Sequence, residues 1–121
     1  MRALWLALPV IGLFLTGTAP AVAQINPFGD ASKSRLSSSD FDRVGDATGR
    51  LLARPSLAPG TKERWTNPET KSTGSLTVKS AFHRQGFSCV AVRYQSRARG
   101  VEPNQTGSLN WCNTPAGWKI L

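Results

Sequence analysis

The chain has one histidine, two cysteines, one tyrosine and one methionine, and its seven acidic residues face fifteen basic ones. Each scarcity limits what the protein can be. With His83 the sole imidazole and Cys89 and Cys112 the sole thiols, no spacing of metal ligands is present and no metal is assigned. The acids Asp40, Asp42, Asp46, Glu63, Glu69 and Glu102 supply no nucleophile–base–orienter set, so no catalytic residue and no cofactor is assigned. His83 falls in a tight turn and reads as a surface residue, while Asp40, Asp42 and Asp46 read as helix-cap and helix-face acids. The shortage of acid leaves a formal net charge of +8. That charge favours anionic partners such as lipid headgroups, lipopolysaccharide or wall polymers.

Long hydrophobic runs are also missing, apart from one at the start. Met1 and Arg2 precede an apolar stretch over 3–16, and Ala21-Val22-Ala23 supplies a small-x-small cleavage pattern. This predicts a signal peptide over 1–23, with Gln24 opening the exported chain and no lipidated cysteine after it. The expected location is the periplasm or the cell surface, without a lipid anchor. Export places Cys89 and Cys112 in an oxidising compartment, where two cysteines most simply form one disulfide.

The exported chain divides into a flexible leader over 24–38 and one small domain over 39–121. A helix is predicted to open at Ser39, with Asp42 three residues on, and to stop at Pro55. Phe41, Val44, Gly45, Thr48, Leu51 and Leu52 share one stripe, and Gly45 and Gly49 would let the helix lie close to a sheet. Beyond it the period changes to two. Strands are expected over 61–66, 75–82, 87–97, 106–113 and 118–121, separated by turn residues.

Register follows from the pattern. Setting Cys89 opposite Cys112 places Val90 opposite Trp111 and Val92 opposite Leu109; setting Phe82 opposite Ser88 places Val78 opposite Val92 and Leu76 opposite Tyr94. One face then carries Leu76, Val78, Phe82, Val90, Val92, Tyr94, Leu109 and Trp111. The other carries Thr77, Lys79, Arg93, Ser108, Asn110 and the disulfide. The fold class is α+β: one amphipathic helix packed on a four- to five-stranded antiparallel meander with one disulfide. Lys79, Arg93, Arg97 and Arg99 are the candidate anion-binding residues, with Trp65 or Trp118 as aromatic neighbours.

Trp65-Thr66-Asn67-Pro68-Glu69-Thr70, then Gly74-Ser75-Leu76-Thr77-Val78, Cys89, Gly107, Cys112, Pro115 and Gly117-Trp118-Lys119-Ile120 follow one another in an order and spacing that resembles the C-terminal domain of the rickettsial-type seventeen-kilodalton surface antigen family. The similarity spans roughly residues 40–121. It implies a bacterial envelope protein, often associated with the outer membrane, whose molecular activity is generally unassigned. The chain departs from that family in lacking a lipidation cysteine and a glycine-zipper segment. Val90 and Asn113, not arginines, follow the cysteines, and Lys71 stands where a glycine is usual. The function expected is therefore a non-enzymatic envelope domain that serves structure or interaction. One alternative is a binder of anionic envelope polymers or lipids through a basic sheet face; another is a small periplasmic inhibitor or hydrolase. Partners would be anionic envelope components or an envelope protein, with peripheral membrane contact and no nucleic acid.

Overall fold

A computed structural model describes residues 25–29, 35–98 and 104–121. The expected signal peptide over 1–23, Gln24, Arg99 and Glu102 lie outside these. One helix, α1 (Ser38–Leu52), precedes five strands: β1 (Lys62–Thr66), β2 (Thr73–Arg84), β3 (Phe87–Arg97), β4 (Gln105–Thr114) and β5 (Gly117–Ile120). The strands form one antiparallel sheet in sequence order, so every connection joins neighbours. Among the described residues no helix is long and apolar enough to cross a membrane.

The helix is capped two residues earlier than the sequence suggests, at Ser37 and not Ser39. Asp40 completes the reciprocal box: Asp40 N–H donates to Ser37 Oγ at 3.1 Å, and Ser37 N–H donates to Asp40 Oδ2 at 2.9 Å. Ser39 and Asp42 do not form the box, because Asp42 points to solvent while Asp40 is buried. Phe41, Val44, Ala47, Thr48, Leu51 and Leu52 form the buried stripe, with Ala47 in place of the expected Gly45. Nor do Gly45 and Gly49 bring the helix close to the sheet: a side-chain carbon at either would meet nothing within 4 Å.

Inner-face residues Leu76, Val78, Val90, Val92, Tyr94 and Trp111 join the helix stripe in one core. The helix lies chiefly over β1 and β2. A buried hydrogen-bond chain carries the tie across the sheet. Thr48 Oγ1 donates to Val44 O, the Tyr94 hydroxyl meets Thr48 Oγ1 at 3.0 Å, and Trp111 Nε1–H donates to the Tyr94 hydroxyl at 3.0 Å. Burial pushes the Tyr94 phenol up, and its bonds to Thr48 and Trp111 only partly offset that, so it stays neutral across the physiological range.

The expected leader is not all loose. Pro27 and Leu36 are buried, and Ile25 and Phe28 pack against the core. Pro27 lies so close over Gly107 of β4 that a side-chain carbon there would collide with the Pro27 carbonyl. Glycine at 107 is thus what lets this segment lie on β4.

Register agrees with the sequence over the β3–β4 pair, where Cys89 faces Cys112 and the two are bonded. Leu76 faces Tyr94 and Val78 faces Val92, also as expected. Beyond that a bulge between Val78 and Ser80 leaves Lys79 without a ladder partner. The inserted residue reverses the parity of the rest of β2. Phe82 therefore faces Cys89, not Ser88, and lies on the disulfide side of the sheet, with the Arg84 guanidinium 5.3 Å above its ring. Ala81 takes the inner place opposite Val90.

The bridge closes a loop whose ends are 23 residues apart, so its removal loosens the unfolded chain. Replacing both Cys89 and Cys112 by Ser is expected to lower stability by roughly 2–4 kcal/mol. Denaturant unfolding of the two proteins, with free thiols assayed in the native one, checks it.

Candidate functional site

Alternation along each strand decides which polar residues meet on the outer face. Paired positions share a face, so the register can be read as rows. Lys62, Thr77, Arg93 and Ser108 form one row; Arg64, Ser75, Gln95 and Thr106 the next; Thr66, Thr73 and Arg97 the third. Every row carries a cation and none carries an acid. At ordinary strand spacing, Lys62, Arg64, Arg93 and Arg97 share an area of roughly 10 by 13 Å. They flank a column of hydroxyls, Thr73, Ser75 and Thr77 on β2, which can donate to an anion or accept from it.

A shallow groove of about 390 Å³ crosses this face. Its floor is the backbone of Trp65, Gly74 and Ser96, a row whose side chains point to the other side, and Lys62, Arg64, Arg97 and Gln95 stand at its walls. The Ser96 hydroxyl lies on that inner side, buried and without a hydrogen-bond partner.

Among the described residues the acids are held elsewhere. Glu63 points to the helix side of β1, where Arg50 Nε and Arg54 Nη2 bind it at 3.0 and 2.6 Å. Hydrogen bonds from Arg54 and Arg50 hold the Glu63 carboxyl below the usual glutamate range. Asp42 and Asp46 face solvent from the helix, and Glu69 does so from the loop after β1.

Asp40 belongs to a separate, buried cluster. Asn67 Nδ2 donates to Asp40 Oδ1 at 2.8 Å and Thr70 Oγ1 donates to the same oxygen, while Ser72 Oγ donates to Oδ2 at 3.1 Å. Burial alone would raise the Asp40 carboxyl. The bonds from Thr70, the Ser37 N–H, Asn67 and Ser72 outweigh it and hold the group below the ordinary aspartate range. With every oxygen engaged by a structural donor, this carboxylate anchors the 67–72 loop to the helix start. The same loop turns at Lys71, whose φ of +64° lies in the left-handed region.

No family model, curated protein or solved structure matches the chain.

Of the candidate residues, Arg93 and Arg97 lie on the outer face, Lys79 is the bulged residue beside it, and Arg99 is outside the described residues. Lys62 and Arg64 were not singled out from the sequence, although the run Lys62-Glu63-Arg64-Trp65-Thr66 shows the needed alternation. What hid them was the orientation of β1, which follows from the burial of Trp65. Trp65 is 4% exposed and part of the core, so no indole serves the outer face there. Trp118 is half-buried on the inner side, beside a second depression of about 480 Å³ that also takes in Leu57, His83 and Val90. His83 is exposed opposite Ser88, and among the described residues no three His, Cys, Asp or Glu side chains are placed to hold a metal ion.

Proposed function

We propose that this chain is a non-enzymatic, exported envelope protein that attaches to anionic polymers or headgroups through the outer face of its sheet. The observation that carries the reading is the grouping of Lys62, Arg64, Arg93 and Arg97 around the hydroxyls of β2, in rows that hold no acid among the described residues. The disulfide accords with an oxidising compartment, and the resemblance to the surface antigen family accords with an envelope location. Exposed charges of this kind bind weakly one by one and are screened by salt, so the face must act as a set.

Binding of the exported chain to phosphatidylglycerol vesicles and to soluble polyphosphate measures the two sources of anion separately. Association is expected at low salt, with a loss of roughly tenfold or more at high salt and a comparable loss when the four residues become Gln. Binding that is absent at low salt, or indifferent to the Gln substitutions, would leave the charge as a solubility feature only.

A further inference from the structure

The two edges of the sheet differ in how they are finished. At the β1 edge the helix closes the strand: Arg50 Nη2 donates to Arg64 O at 3.1 Å and Arg54 Nη2 donates to Lys62 O at 2.9 Å. These outward carbonyls are therefore occupied. At the β5 edge the pattern is reversed. Leu121 N–H donates to Asn110 O, so positions 117, 119 and 121 turn their backbone groups toward β4, and Trp118 and Ile120 turn theirs outward. The same strand end carries the exposed large hydrophobic residues of the described chain, Ile120 at 49% and Leu121 at 39%. An edge with outward amides, apolar side chains and no proline is a template for another strand.

We propose that β5 is a docking edge for an extended segment of a partner protein in which apolar and acidic residues alternate. Its apolar residues would lie beside Trp118 and Ile120 on the inner side of the sheet, next to the depression lined by Leu57 and Val90. Its acidic residue would lie opposite Lys119 on the outer side, where Arg84 also sits, donating to Leu121 O at 2.7 Å. Charge selects this occupant over a second copy. Full antiparallel overlap of two β5 strands sets Lys119 opposite Lys119, and like charges facing across a pair are destabilising. Each copy also carries a net positive charge to be brought together, +8 for the full sequence and one less without Arg2. This edge is distinct from the basic rows of the outer face, so the two sites can be tested apart.

The probe is a synthetic peptide of alternating valine and glutamate, with a valine–lysine peptide as its control. Amide exchange at Trp118 and Ile120 in the exported chain is expected to slow by ~tenfold or more with the glutamate peptide alone. Ile120→Pro removes an outward N–H and a half-exposed side chain without touching the β4 ladder, so it should abolish the protection read at Trp118 while leaving the melting temperature and polyphosphate binding unchanged. Lys119→Glu, which needs no change of backbone, should transfer the preference to the lysine peptide. The proposal is overturned by equal protection from both peptides, by protection that survives Ile120→Pro, by no protection at all, or by a wild-type dimer that Ile120→Pro dissolves.

Discussion

Replacing Asp40 by alanine is expected to lower stability by about 4 kcal/mol, among the largest effects of any single polar substitution in this chain. The side chain is 1% exposed and accepts hydrogen bonds from Ser37 N–H, Asn67, Thr70 and Ser72. Truncation leaves the buried Ser72 hydroxyl without its acceptor and the buried Asn67 amide with Ser39 Oγ, at 3.0 Å, as its remaining one, at about 1–3 kcal/mol for each buried donor that loses its partner. Loss of the reciprocal cap adds about 1 kcal/mol. Asp40→Asn should cost less but still destabilise, because its amide turns a donor toward the donors already there.

Acid should reach the same cluster in the wild-type protein. The Asp40 carboxyl is depressed in the folded state, so the unfolded chain takes up its proton first as pH falls. Its contribution is complete above the ordinary aspartate value of about 4 and is lost as pH drops through the lower folded value. Glu63 is depressed for a different reason, its hydrogen bonds to Arg54 and Arg50, and works in the same direction. Denaturant midpoints measured from neutral pH downward should therefore decline below about pH 4. The decline should be shallower in Asp40→Asn and, separately, in Glu63→Gln. An acid limb unchanged in Asp40→Asn would mean that the cluster is not ionised in the folded protein.

The second large effect is expected at Trp65. Its indole covers Gly74 of the neighbouring strand so closely that a side-chain carbon at 74 would lie 2.3 Å from Trp65 Nε1 and 2.6 Å from the Gln95 carbonyl oxygen. Trp65→Ala should cost about 3–5 kcal/mol through lost burial and the cavity left behind. Gly74→Ala should also destabilise, by about 1–3 kcal/mol or more, because the ring and the carbonyl must both shift. In the double variant the clash with the ring is gone but that with Gln95 remains, so the added cost of Gly74→Ala should shrink without vanishing. Thermal melts of the four proteins form the cycle. Full additivity would show that the two residues do not share the contact.

Trp65 also shows why part of the site was hidden. The tryptophan was legible as a strand residue, but its side of the sheet was not, and with it went the orientation of Lys62 and Arg64. Asn67-Pro68 reads as a strand breaker and 69–74 as a polar turn, which holds as far as Ser72, before β2 begins at Thr73. Nothing local indicates that the side chains of this segment reach back about thirty residues to Asp40, since these three hydrogen bonds exist only once β1 has been set beside the helix start. The bulge at Lys79 was equally silent, because one extra residue in a strand leaves the composition of the run unchanged while reversing which face Phe82 occupies.

By itself the sequence determined the α+β class, the amphipathic helix, a meander of four to five strands, and the pairing of β3 with β4 around Cys89 and Cys112. These are properties of short-range periodicity, strengthened where the facing cysteines and the hydrophobic alternation demand the same register. Only the tertiary structure decided which cations share the outer face, that Asp40 is a buried anchor, and that Arg50 and Arg54 close one sheet edge while β5 leaves the other open. Each of those depends on residues far apart in the chain meeting across strands or across the helix–sheet interface, and such meetings leave no periodic trace in the sequence.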